Sequence, residues 1–130
     1  MTNSILIGAK IYNLLMNNEH INEMVGTKIF PIVAENGTEF PFITYTKTNV
    51  QPTQMTKDWQ HEDSVSIQIN VASTSYSESA LIAQYVREAL ESPKWHMDDM
   101  VIRYLQLAGI VEAYTDNTYI QTLSFTCKVQ

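Results

Sequence analysis

Three features of the sequence predict an α+β fold, an antiparallel β-sheet with two main helices packed on one face. Val65, Ile67, Ile69 and Val71 alternate with Ser64, Ser66, Gln68 and Asn70, which marks a strand buried on one side only. Directly after it, Ser75 and Glu78 head a stripe of Ile82, Tyr85, Val86 and Ala89 running to Leu90, the pattern of a capped amphipathic helix. The remainder is rich in β-branched and aromatic residues separated by turn signals. With 130 residues the chain fits one domain, residues 1–130. A domain of this size buries about two thirds of its unfolded surface, enough for a core without disulfides or metals.

Taken in order, Asn3 or Ser4 caps a first helix whose stripe is Ile7, Ile11, Leu14 and Leu15, and Asn17-Asn18 stops it. A short second helix over 19–24 presents Ile21 and Met24 and ends at Gly26, which accepts a left-handed backbone. Residues 28–34 make a short strand; Pro31 has no N–H to donate and must sit at an edge or in an irregular stretch. Asn36-Gly37 marks a tight turn, and 42–46 is a strand. Residues 48–63 have no period and form a long loop or a ragged hairpin. The capped helix ends at Ser92-Pro93, since the residue before proline disfavours helical angles. Strands follow at 100–107 and 110–115 with Gly109 as a turn or bulge, then a hairpin turn at Asp116-Asn117 and a last strand over 119–129. In that strand Tyr119, Leu123, Phe125, Cys127 and Val129 share one face.

Fourteen acidic against eight basic side chains give a net charge of −6. The basic residues are scattered singly, which argues against nonspecific nucleic-acid binding, since that needs clustered cations to displace phosphate counterions. The charged fraction of 17% is low and Ser, Thr, Asn and Gln are abundant, so the surface is polar but largely uncharged, a kind that suits protein contacts. One cysteine excludes an intramolecular disulfide. No apolar run approaches the roughly 20 residues of a membrane span, and the N-terminal stretch lacks the positive start and unbroken apolar centre of a signal peptide. Folding in a cytoplasm, with no membrane partner, is the expectation.

Catalytic and metal-binding readings find little support. His61-Glu62-Asp63, His96-Met97-Asp98-Asp99 and the lone His20 lack metal-ligand spacing and read as solvated charge. Cys127 falls in the apolar phase of the last strand, where a buried small hydrophobe is expected in place of a nucleophile. No phosphate loop, dinucleotide fingerprint or nucleophile elbow occurs. Adjacent Asp98 and Asp99 on a strand point opposite ways and cannot share a substrate. The expectation is no enzyme, no metal and no cofactor. Trp59 and Trp95, with Met55 and Met97 near them, lie outside the periodic segments. They either fold back over the ends of the core or anchor a protein contact.

The segments Val25-Gly-Thr-Lys-Ile-Phe-Pro31, Glu39-Phe-Pro-Phe-Ile-Thr-Tyr45 and Val65-Ser-Ile-Gln-Ile-Asn-Val-Ala-Ser73, followed by the helix through Leu90 and a β tail, carry a resemblance over almost the whole chain. The chain resembles the tail-completion or tail-terminator-like family of long-tailed bacteriophages and prophages. The resemblance implies a structural protein without chemistry, forming a ring with copies of itself, commonly a hexamer, between the tail tube protein and the head–tail connector proteins. Such a ring stops tube growth and leaves a channel through which DNA passes without specific binding. It implies synthesis in a bacterial host cytoplasm and a final place at the head–tail junction of the virion. On this reading Met55, Trp59, Trp95 and Met97 are the expected interface residues. The alternatives are a small cytoplasmic protein-binding adaptor without catalytic activity, or an enzyme with a site built from His61, Glu62, His96 and Asp98.

Overall fold

The strand with the strictest alternation lies in the middle of the sheet. A computed structural model describes residues 4–52, 63–91, 96–97 and 100–129. A 3-10 turn at Ser4–Leu6 leads into α1 (Ile7–Met16) and α2 (Glu19–Val25), then β1 (Ile29–Pro31), β2 (Phe42–Pro52) and β3 (Asp63–Ser73). After α3 (Tyr76–Leu90) come β4 (His96–Met97), β5 (Met100–Thr115) and β6 (Thr118–Val129). The strands form one sheet in the order β1-β2-β3-β6-β5-β4. The α+β class is the one expected. The sheet is antiparallel except at β1, which pairs parallel to β2, with Ile29 opposite Ile43 and Pro31 opposite Tyr45.

β3 pairs antiparallel on both sides, so its two-residue period is copied outward. Val71, Ile69, Ile67 and Val65 stand opposite Gln121, Leu123, Phe125 and Cys127 of β6, and Val71 and Ile69 stand opposite Ile43 and Tyr45 of β2. All three helices pack on this face: α3 contacts β3 and β6, α1 contacts β2 and α3, and α2 contacts α3. Ile7, Ile11 and Leu15 of α1, Ile21 and Val25 of α2, and Ile82, Val86 and Leu90 of α3 close the core. The opposite face carries Ser64, Ser66, Gln68 and Asn70 from β3, and Thr122, Ser124, Thr126 and Lys128 from β6.

Local chemistry explains the element ends. Asn18 caps α2, its Oδ1 accepting from the Ile21 N–H at 3.0 Å. Gly26 closes that helix at φ +63° and ψ −126°, a conformation that only glycine adopts without strain. α1 departs from expectation: the 3-10 turn precedes it, its N-cap is Leu6, and no side chain caps it. Asn3 lies outside the described residues. At α3 the Glu78 N–H donates to Ser75 Oγ at 3.4 Å as expected, but the return bond is relayed. Ser73 Oγ accepts from the Ser75 N–H at 3.1 Å and donates to Glu78 Oε1 at 2.7 Å, so the last residue of β3 completes the cap. Asp116 and Asn117 have φ of +51° and +61°, the two positive angles of the tight turn that matches strand twist. β5 is one strand of 16 residues, with register shifts at 103/106 and 107/109, so Gly109 marks a bulge and not a break. β2 runs on to Pro52, past its expected end at 46. Residues 53–62 and 92–95, including Ser92-Pro93, lie outside the described residues.

Among the described residues Phe125 is the largest of the fully buried side chains, and it lies on β6 opposite Ile67 and Leu107. Phe125→Ala is expected to cost about 3–5 kcal/mol in urea unfolding, the range for an aromatic removed from a packed core.

Candidate functional site

Of the expected interface residues, Met55, Trp59 and Trp95 lie outside the described residues. Met97 lies on β4, opposite Met100 of β5. His61, Glu62, Asp98 and Asp99 also lie outside. Asp63 opens β3 opposite Val129, and His20 stacks on Tyr85 with ring centroids 4.6 Å apart. Among the described residues no group of three His, Cys, Asp or Glu side chains is placed to hold a metal ion, and no helix is long and apolar enough to cross a membrane.

The structure draws attention to surface features instead. The link from β1 to β2 turns sharply at Ile32, whose φ is +66°. The Val33 N–H donates to Pro31 O at 2.7 Å across it, a γ-turn of the rare positive-φ kind. A β-branched residue in that region is a genuine outlier, costing about 1–3 kcal/mol. The strain delivers apolar side chains to solvent: Ile32 is 76% exposed and Val33 72%. With Phe40 and Phe42, whose rings stack at 5.3 Å, they border a groove of about 760 Å³ against the polar sheet face at Asn70, Thr118 and Thr122.

A second feature ties α3 to the β5–β6 hairpin. Gln121 is 2% exposed on the core face of β6. Its Nε2 donates to Ser79 Oγ at 3.2 Å and to Glu112 Oε2 at 2.8 Å, and Ser79 Oγ donates to the Tyr76 carbonyl at 2.7 Å. Tyr76 closes the circuit by donating its hydroxyl to the same Glu112 oxygen at 2.5 Å. The Tyr76 and Gln121 hydrogen bonds hold the Glu112 carboxyl below its usual range, and the bond to Glu112 raises the Tyr76 phenol. Glu112 is therefore a charged, positioned carboxylate on an exposed strand. Sequence reasoning did not single out Ile32, Gln121 or Glu112. Two had a signal: Gln121 sits in phase with Leu123 and Phe125 where an apolar residue belongs, and Glu112 is the one acid of its strand.

Cys127 is buried in the core, and burial pushes its thiol up to about 12. A protonated, enclosed thiol is no nucleophile at neutral pH. In the unfolded chain the thiol titrates near pH ~8.5, so ionisation favours unfolding. The thiol's contribution to stability is whole below that pH and is lost as pH rises toward about 12. Against Cys127→Val, wild-type stability in urea is expected to fall by up to about 1.4 kcal/mol for each pH unit above ~8.5; parallel curves would contradict the assignment.

No curated protein sequence matches the chain. Among solved structures it is similar to a chain in "Virion of native gene transfer agent (GTA) particle", with a TM-score of 0.73 and 13% identity, covering 92% of this chain and 90% of that one. At that identity the likeness shows the fold. A sequence model of the family described as "Tail completion protein gp17" matches residues 9–129. The chain therefore belongs to the tail completion protein gp17 family, and its role is a structural one in a phage tail.

Proposed function

We propose that the chain, acting as one domain over residues 1–130, forms a ring that caps the head-proximal end of the tail tube, ends tube growth and leaves a channel for DNA. The match of the tail completion family over residues 9–129 carries this reading. The ring is a hexamer, seated between the tail tube protein and the head–tail connector at the head–tail junction of the virion. Its role is structural, with no reaction to catalyse.

The distribution of charge supports passage without grip. On the open face of β3 and β6, Lys128 is the one charged side chain; the rest are hydroxyls and amides with the apolar Ala72 and Ile120. The described acids lie on α2, on α3 and its C-cap Glu91, on the 32–41 link, at the strand positions Asp63 and Glu112, and at the β5–β6 turn. A surface of this kind offers phosphates few cations to bind, and a net charge of −6 disfavours close approach of DNA within the screening length. Met55, Trp59, Trp95 and Met97 remain the residues proposed to contact neighbouring proteins.

The test is polymerisation of tail tube protein with and without this chain, with lengths measured by negative-stain microscopy. Short tubes bearing a terminal ring are expected; unrestrained growth with bare ends would refute capping. Sedimentation of Trp59→Ala and Trp95→Ala, alone and on tubes, is expected to show weakened assembly. Wild-type assembly by both variants removes the tryptophans from the interface.

A further inference from the structure

Both lateral edges of the sheet are open among the described residues. β1 covers β2 only at Ile43, Thr44 and Tyr45, and no strand pairs the outer edge of β2 over 46–52. On the far side β4 covers β5 only at Met100 and Val101, which leaves its outer edge free of strands over 102–115. Over 109–115 that edge holds an even register with neither lysine nor proline, the residues that usually blunt an edge. Its Ile110, Val111 and Tyr114 are exposed.

The helix layer stops short on the same side. A groove of about 440 Å³ runs between α3 and β5, lined by Ala80 and Ala83 on one side and by Leu107, Ile110 and Leu123 on the other. Glu112 lines it too. Glu112 Oε2 accepts from Tyr76 and Gln121, while Oε1 accepts nothing and no cation reaches the carboxylate among the described residues.

The β2 side carries the complement. Ile5, Leu6 and Ile32 are exposed there, beside a depression formed by Gly8, Pro31, Tyr45 and Lys47. The Lys47 ammonium donates to the Ile5 carbonyl and keeps two further protons. Lys47 pairs with Ile67 and Glu112 with Gln121, so both belong to the helix-side face of the sheet. Strands laid edge to edge place residues of the same phase side by side.

We infer that the chain associates head to tail with a second copy. The β2 edge of one copy adds to the β5 edge of the next, Ile5, Leu6 and Ile32 close the groove beside α3, and Lys47 meets the open oxygen of Glu112. The occupant is another copy because the open edges and the opposite charges are both carried by this one chain. Strand addition supplies main-chain hydrogen bonds, and the side chains set register. A contact between two different patches closes into a ring when its rotation permits. The inference deepens the ring reading and rests on it.

Charge reversal tests the contact, with association followed by sedimentation velocity over a concentration series, alone and on tail tubes. Lys47→Glu and Glu112→Lys each set like charges at every contact, and association weakens about tenfold. The double variant, and an equal mixture of the two singles, restore it, because each contact again joins opposite charges. Ile32→Asn, a residue at ease with positive φ, melts no lower than wild type and associates about tenfold more weakly. Should Glu112→Lys unfold for want of its Tyr76 bond, Lys47→Glu and Ile32→Asn carry the test, and wild-type association by both overturns the inference. So does a double variant no better than either single, or a wild-type chain that stays monomeric alone and on tubes. Rings built on this contact that fail to stop tube growth refute capping and leave the contact standing. Tubes capped by chains indifferent to every reversal sink the contact and leave capping standing.

Discussion

Everything in this structure hangs on the register of β3. It is paired on both sides, β2 against one edge and β6 against the other, and helices cover only one of its faces. A slip of one residue would carry Val65, Ile67, Ile69 and Val71 to the open side and drive Ser66, Gln68 and Asn70 under the helices. Buried hydroxyls and amides without partners cost about 1–3 kcal/mol each, so the slipped state is excluded by several times the worth of a typical contact. The Thr122 hydroxyl, donating to Asn70 Oδ1 at 2.7 Å across the open face, adds a polar marker of the same register.

That register decides where surfaces are left over. β3 ends at Ser73, whose hydroxyl completes the cap of α3, so the helix starts at a fixed point and runs back over β3 and β6. The hydrogen bonds of Gln121 to Ser79 and Glu112, with Tyr76 on the same carboxylate, pin its first turn to the β5–β6 hairpin. A helix so anchored cannot also cover the outer half of β5. The groove beside α3 is thus a consequence of the same polar circuit that charges and positions Glu112. At the other margin, the positive-φ turn at Ile32 spends stability drawn from the core to hold apolar groups in water. Strain of that kind persists only where the surrounding structure enforces it, here through the Ile32 N–H donating to Tyr45 O at 2.8 Å.

Much of this was legible in the sequence, and the parts that were not share a cause. The order of helices and strands, the alternation at 64–71, the turn at Asp116-Asn117 and the glycine ending α2 are local, each written in a few adjacent residues. The parallel direction of β1 is set by where the 32–41 link returns, which three strand residues cannot encode. The outer half of β2 lacks a period because both of its faces are largely exposed, so burial imposes no alternation. β5 read as two strands because its register shifts reset the phase of its apolar residues. At α3 a serine from the preceding strand took a role that the local pattern gave to Glu78 alone. Met97 was placed on a short outer strand, while Met55, Trp59 and Trp95 fall outside the described residues. Ile32 was invisible for a different reason: nothing local favours isoleucine at positive φ, and only the tertiary path of the chain puts it there.

The sparse charge now has a physical reading. Copies at −6 repel one another, and at physiological salt that repulsion is screened beyond about 8 Å. Any association between them must therefore come from short-range terms: main-chain hydrogen bonds at open edges, apolar burial, and opposite charges brought into contact. The molecule's surfaces divide accordingly. Most of the described acids ride on the helices, the 32–41 link and the turns, where like charge holds copies apart, and the sheet edges carry the groups that act only at contact. The open face has little of either, with Lys128 its one charge on β3 and β6. In the proposed ring, a surface of that composition would offer a polyanion few cations to bind. With repulsion screened beyond about 8 Å, the scarcity of cations on that face, more than the net charge, is what denies a polyanion a hold.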